Sequence, residues 1–195
     1  MISFNNVEKF FKKDKVLDNI SFEINNGDFV IIEGQNGSGK TTIINLMLKL
    51  IDLDKNDRGD IYNDFENISY YPERFNLPSL IKSHDFLYTY FNNIATKDEI
   101  DFYIDRYKLE NKYICNLSKG NTLKIGIIKT LLEQSELYIF DEPLNGLDEE
   151  SKRLLAEDLM ALKKLSKTII VVTHDKSVFM EYKSKLIELG GKKYE

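Results

Sequence analysis

The 195-residue chain has no tryptophan, one cysteine, three prolines and two histidines. A single cysteine rules out an internal disulfide, and so thiol-poor a chain suits a reducing compartment. Nowhere do apolar residues run on for the roughly 20 positions that a membrane-spanning helix needs. The longest apolar stretches, residues 43–51 and 169–172, are of core size. The opening residues, Met-Ile-Ser-Phe-Asn-Asn-Val-Glu, show neither a charged start nor an apolar h-region, so no secretory leader is expected. Positive charge is scarce too. Lys and Arg number 27 against 32 Asp and Glu, a net charge of −5, so no broad cationic field exists and no nucleic-acid partner is expected. There is no repeat, low-complexity tract or linker to divide the chain, so residues 1–195 are expected to form one domain of a cytoplasmic protein.

What is present is an α/β alternation. Residues 16–24 alternate, with Ile20, Phe22 and Ile24 on one face, and turn at Asn25-Asn26-Gly27. Residues 29–32 form a short apolar strand that enters a glycine-rich loop, after which residues 43–51 are apolar nearly all round, as in a buried helix. Residues 52–64 are polar with one glycine and read as loop. A strand at 68–71 is closed by Pro72. Leu87, Tyr90, Phe91 and Ile94 recur at helical spacing, as do Ile100, Tyr103 or Ile104, and Tyr107; Thr96 with Glu99 makes a capping box between the two helices. A further helix over 117–134 puts Leu123, Ile127 and Leu131 on one face. Strand 137–140, helix 149–165, strand 168–173 and a last strand near 186–189 complete the pattern. The expected fold is α/β: a mostly parallel sheet, an N-terminal antiparallel part, and an inserted helical region over residues 74–134.

Gly34-Gln35-Asn36-Gly37-Ser38-Gly39-Lys40-Thr41, followed by Thr42, fits the phosphate-loop pattern GxxxxGK[ST] between a strand and a helix. Glycines let the backbone turn tightly enough for its amides to surround a phosphate, and the helix that follows adds its positive end. Lys40 is placed to reach β- and γ-phosphates and the Thr41 hydroxyl to bind Mg²⁺. This makes the loop a P-loop nucleotide site.

Residues 137–140 form an apolar strand ending in Asp141-Glu142. Two carboxylates there are commonplace alone. Beside a phosphate loop, Asp141 is placed to steady Mg²⁺, and Glu142 to orient or deprotonate the attacking water. His174, after the strand that ends in Thr173, reads either as a structural residue or as a catalytic one. His84 has no acidic partner nearby and reads as structural, and the acidic run 148–150 as a helix start matched to its dipole.

Taken together, Leu117-Ser118-Lys119-Gly120-Asn121, Asp141-Glu142-Pro143, Leu144-Asn145-Gly146-Leu147-Asp148 and Thr173-His174-Asp175 resemble the nucleotide-binding domain of ABC transporters over essentially the whole chain. The resemblance implies a head-to-tail pair of cassettes, identical or closely related. ATP on the phosphate loop of one would be covered by Ser118 and Gly120 of the other, with Asp148 at the interface and His174 on the γ-phosphate. It implies a separate membrane-spanning permease subunit, and a location on the inner face of the cell membrane. It places Phe11 on the adenine, with Phe10 as the neighbouring alternative.

Three departures stand out. The position after Tyr71-Pro72 is Glu73, as in some members of the family, where the commonest pattern has glutamine, which makes Glu73 a candidate metal ligand. The signature carries Lys119 and Asn121 for glycine and glutamine. The helical insertion is short, and no regulatory C-terminal domain is expected. None of these touches Lys40, Asp141, Glu142 or His174, so ATP hydrolysis is expected to survive. Tyr70, Tyr71, Phe75, Leu77 and Phe86 read equally as core or as a docking surface for the permease. The compact cassette, the Tyr-Pro-Glu loop and the Lys-Gly signature resemble exporters of peptides or antibiotics more than importers. The competing readings are a soluble ABC ATPase acting in protein assembly and an ATP sensor without hydrolysis; Glu142 and His174 speak against the second.

Overall fold

The computed structural model describes residues 1–174, 176–179 and 182–189. Its antiparallel part is a three-stranded sheet: β1 (Ile2–Phe11) lies between β2 (Asp14–Ile24) and β4 (Arg58–Asn63). Alternation does not run unbroken through the β1–β2 pair. Leu17 is buried out of phase with Ile24, and register shifts near Val7 and Lys9 absorb the difference.

Residues 52–64 are not all loop. The β4 strand occupies their second half and pairs with β1 from Ile2↔Asn63 to Glu8↔Arg58. It is an edge strand with most side chains in solvent, so its polar composition hid it. A buried Lys9 fastens the preceding turn to β1: its Nζ donates to Asp52 O at 2.8 Å and to the carboxylates of Asp54 at 2.8 Å and Asp57 at 2.7 Å. Burial alone would lower the pKa of this ammonium, but the two carboxylates outweigh it and raise the value.

The second sheet is parallel throughout, from β3 (Phe29–Gly34), β5 (Ile68–Tyr71), β6 (Leu137–Asp141), β7 (Thr168–Val172) and β8 (Lys185–Leu189) in the order β5-β6-β7-β3-β8. Strands β6 and β7 are buried at every position because both faces are covered. Phe29, Ile31, Tyr138, Phe140, Ile169 and Val171 face one hydrophobic cluster; Val30, Ile32, Leu137, Ile139, Ile170 and Val172 face the other. Each fully buried side chain of this kind stabilises the fold by about 1.5–3 kcal/mol.

Helix α1 (Lys40–Met47) lies on the second cluster, whereas α2 (Ser83–Phe91), α3 (Lys97–Arg106), α4 (Lys119–Leu132) and α5 (Glu149–Lys164) contribute to the first. α1 is shorter than the apolar stretch suggests. It stops at Met47, Lys49 turns to φ 56°, and Leu50 is exposed. The Thr96–Glu99 capping box at α3 is formed in both directions. Arg106 and Tyr107, at the end of α3, reach Asp158 of α5 at 2.9 and 2.8 Å and tie the helices together. Among the described residues, no helix is long and apolar enough to cross a membrane.

Candidate active site

The phosphate loop leaves β3 at Gly34 and enters α1 at Lys40. Gly39 caps the helix at φ 92°, and a Cβ there would lie 2.5 Å from Leu17 Cδ2, so both backbone and neighbour demand glycine. Lys40 Nζ donates to the carbonyls of Gly34 at 2.7 Å and Gln35 at 3.2 Å, and lies 3.8 Å from Glu142 Oε1. The Ser38 hydroxyl is buried under the loop and has no hydrogen-bond partner among the described residues.

Glu142 directly follows β6 in a left-handed conformation, φ 49°. For a non-glycine residue that stores about 1–3 kcal/mol of strain. Two features hold it there. Its N–H donates to Val172 O at 2.8 Å, and Pro143 behind it disfavours the right-handed helical region. The result is a carboxylate turned across the strand ends towards Lys40 and His174, with His174 Nδ1 2.9 Å from its Oε2.

Asp141 is buried, and the Tyr70 hydroxyl donates to its Oδ2 at 3.5 Å. Burial first, then the charges of Glu73 and Glu142, push its pKa up to about 6, against the pull of Lys40. Burial and Asp141 in turn raise the Tyr70 hydroxyl above its ordinary value.

A cavity of about 580 Å³ unites these groups; Asn36, Gly37, Gly39, Lys40, Thr41 and Thr42 line one side, and Glu73, Asp141, Glu142 and His174 the other. Asn145 of the motif before Asp148 also lines it, and so does Val16, an aliphatic side chain with no chemistry to mark it in the sequence. A second overlooked contact is the ion pair of Lys176 with Glu33, 2.5 Å long, which ties the segment after His174 to the strand of the phosphate loop. Asp175 lies outside the described residues. His84, as expected, is structural, its Nε2 2.9 Å from Leu109 O.

Phe11 is not among the cavity-lining residues. It lies at the end of β1, 45% exposed, with Lys9 Nζ 5.6 Å from its ring centroid. Ser118, Gly120 and Asp148 form a separate group on the surface. Ser118 caps α4, accepting from the N–H and the side-chain amide of Asn121, both at 3.2 Å. Asp148 caps α5, accepting from Ser151 N at 2.7 Å, which with the Ser151 hydroxyl lowers its pKa. Lys124 Nζ, 3.6 Å from Asp148, joins the two helix starts. Asn121, the departure from glutamine, is thus occupied locally; it also donates to Glu110 at 2.9 Å.

The groups at the cavity suit a nucleoside triphosphate with its metal: an ammonium and a glycine-rich loop for phosphates, and the oxygens of Thr41, Asp141 and Glu73 for a hard cation. Among the described residues no three His, Cys, Asp or Glu side chains close around a metal by themselves. A cation here would take ligands from Thr41, Asp141 and Glu73 together with the substrate.

A parallel sheet with a phosphate loop on one strand and an Asp-Glu pair at the end of another defines the P-loop class of nucleotide-binding proteins. Within that class, the family model for ABC transporters matches residues 17–145, well over half of the chain. The zinc import ATP-binding protein ZnuC of Rickettsia bellii is 35% identical over 98% of this chain and 83% of its own. An uncharacterized ABC transporter ATP-binding protein of Methanocaldococcus jannaschii is 36% identical over 89% of this chain and 68% of its own. A dimeric ATP-binding cassette solved in a post-hydrolysis state with ADP and phosphate has the same fold, with a TM-score of 0.79 and 24% identity, covering 97% of this chain and 94% of that one. The chain belongs to the ABC transporter family. It is an ATP-binding subunit of that family, and an ATPase.

Proposed function

We propose that this subunit hydrolyses Mg-ATP at the interface between two cassettes and so drives import of a divalent metal ion, zinc above all, through a separate permease. The carrying observation for the chemistry is Glu142, held in a left-handed turn between Lys40 and His174. The direction and cargo rest on the relative named for zinc import, which spans nearly the whole chain. Import replaces the export direction suggested by the signature and the Tyr-Pro-Glu loop.

In this reading the backbone of residues 34–42 cradles the phosphates, and Lys40 trades its loop carbonyls for β- and γ-phosphate oxygens. Phe11 stacks on the adenine. Mg²⁺, held by Thr41, Asp141 and Glu73, would neutralise charge on the phosphates. Glu142 takes the proton from the attacking water, and His174 fixes the carboxylate. Ser118, Gly120 and Asp148 act on the nucleotide of a second cassette, which accounts for their place outside the cavity. Residues 74–134 serve as the helical subdomain of one ATPase domain, and the whole sits peripherally on the inner face of the cell membrane.

The test is to co-express the chain with the membrane protein encoded beside it, reconstitute the complex in vesicles and follow Zn²⁺ with ATP supplied on the cassette side. ATP-dependent movement towards that side is expected. Movement away from it would establish export, and a complex indifferent to divalent metals would overturn the cargo.

A further inference from the structure

Among the five aromatic and aliphatic residues around the Glu73 loop, Tyr71 and Phe86 are core, and Phe75 also turns inward. Phe75 packs edge-on against Tyr71, ring centroids 5.5 Å apart, and Tyr71 stacks on Phe140 at 5.8 Å, next to Asp141. Opposite Phe75 lies Gly126, buried midway along α4. A Cβ on Gly126 would come within 2.5 Å of Phe75 Cζ, 2.8 Å of Phe75 Cε1 and 2.9 Å of Tyr71 Cε2. Glycine is unfavourable in a helix interior relative to alanine. At this position it makes a notch for the Phe75 ring.

We infer that Phe75, seated in the Gly126 notch, is a positioning contact that couples the Glu73 loop to the helix presenting Ser118 and Gly120. Phe75 is two residues beyond Glu73, which lines the cavity. Gly126 is eight residues into the helix capped by Ser118, about 12 Å along its axis. A helix of this length moves as a rod, so the seat of Phe75 sets where the first turn of α4 stands relative to the cavity. The inference rests on the roles proposed above for Glu73 and Ser118.

Gly126→Ala forces the ring to retreat by about 1 Å, the distance between a 2.5 Å clash and an ordinary contact, and misplacement on that scale lowers catalytic rates by up to about 100-fold. In the purified full-length protein, Gly126→Ala should lower kcat for Mg-ATP at least ~10-fold. The Kd for ATP, read by calorimetry, should stay within about twofold, because the phosphate loop packs on the other face of the sheet. The Tm should fall by no more than a few degrees, because crowding of the buried rings is partly offset by alanine's better helix propensity. Gly126→Ala combined with Phe75→Leu, which makes room for the methyl group, should recover most of the rate. Phe75→Ala alone should lose kcat while staying folded. Wild-type kcat in either Gly126→Ala or Phe75→Ala overturns the inference. So does a double variant as slow as Gly126→Ala, which would place the defect in α4 itself. If Gly126→Ala fails to fold, Phe75→Ala decides. A wild-type chain that neither binds nor hydrolyses Mg-ATP would defeat the reading of the site before any substitution is made, and the coupling with it.

Discussion

His174 and Glu142 meet twice: Nδ1 of the ring lies 2.9 Å from Oε2 of the carboxylate, and the His174 backbone N–H points at the same oxygen from 3.4 Å. An ionised carboxylate only accepts, so Nδ1 carries the proton and Nε2 is left to face another partner. The pair lies beside the ammonium of Lys40.

Glu142→Gln keeps the size and a hydrogen-bond acceptor but removes the base. Hydrolysis should fall by about 10²- to 10⁴-fold, the usual contribution of a general base. ATP should still bind, and size-exclusion mass with Mg-ATP should report a persisting dimer. A monomeric variant that hydrolyses at the wild-type rate would remove Glu142 from the mechanism.

Asp141 gives the nucleotide-free protein a pH dependence whose sign is fixed. Its folded pKa of about 6 lies above the ordinary value of 3.8, so the unfolded chain ionises first as pH rises. Stability is therefore lost between about pH 4 and pH 6 and stays lost above, by about 1–3 kcal/mol for a shift of this size. Asp141→Asn should raise the nucleotide-free Tm at pH 7.5 by about 3–10 °C for a chain of this length. The gain should vanish near pH 4. Equal Tm values at pH 7.5 would mean the carboxylate bears no such strain.

Glu73 adds a second carboxylate that disfavours ionisation of Asp141. Without a metal it should also repel the γ-phosphate, by about 3 kcal/mol at 5 Å and an effective dielectric of 20, less after solvent screening at this exposed residue. ATP affinity should therefore depend strongly on Mg²⁺ in the wild type and more weakly in Glu73→Gln, with hydrolysis kept. Affinities measured with Mg²⁺ and with EDTA separate the two. An identical ratio in both proteins rules out Glu73 as a metal ligand.

Phe11→Ala should weaken ATP binding by about 0.5–2 kcal/mol, the loss of one stacking partner. Stacking reads the face of a base, so other purine nucleotides should lose as much. If Phe10→Ala gives the loss and Phe11→Ala does not, the other aromatic of the pair holds the base.

Much of this molecule could be read before its structure, and the failures have physical causes. The central strands are legible because burial on both faces leaves a continuous apolar run, as in residues 169–172. The phosphate loop, Asp141, Glu142 and Glu73 do converge on one cavity. The β4 strand is hidden in the sequence because backbone hydrogen bonds, not apolar side chains, hold an edge strand in place. α1 ends earlier than its composition suggests because Leu48, Leu50 and Ile51 continue the apolar stretch while Lys49 reverses the backbone. Composition also could not say whether Tyr71 and Phe75 face a partner or a glycine. Val16 lines the cavity as an ordinary aliphatic side chain, a role that depends on where the β1–β2 hairpin folds and on nothing local.

The strand order has a consequence for how this enzyme tolerates change. β7 lies between β6 and β3, so Glu142, His174 and the phosphate loop issue from three adjacent strand ends. Neighbouring strands stand about 4.8 Å apart, which puts the strands bearing Glu142 and the loop roughly 10 Å apart. That interval is ruled by main-chain hydrogen bonds, whose length is the same for every amino acid. Sequence can drift through the interior of the sheet, exchanging one aliphatic residue for another, while the gauge between the loop and Glu142 stays constant.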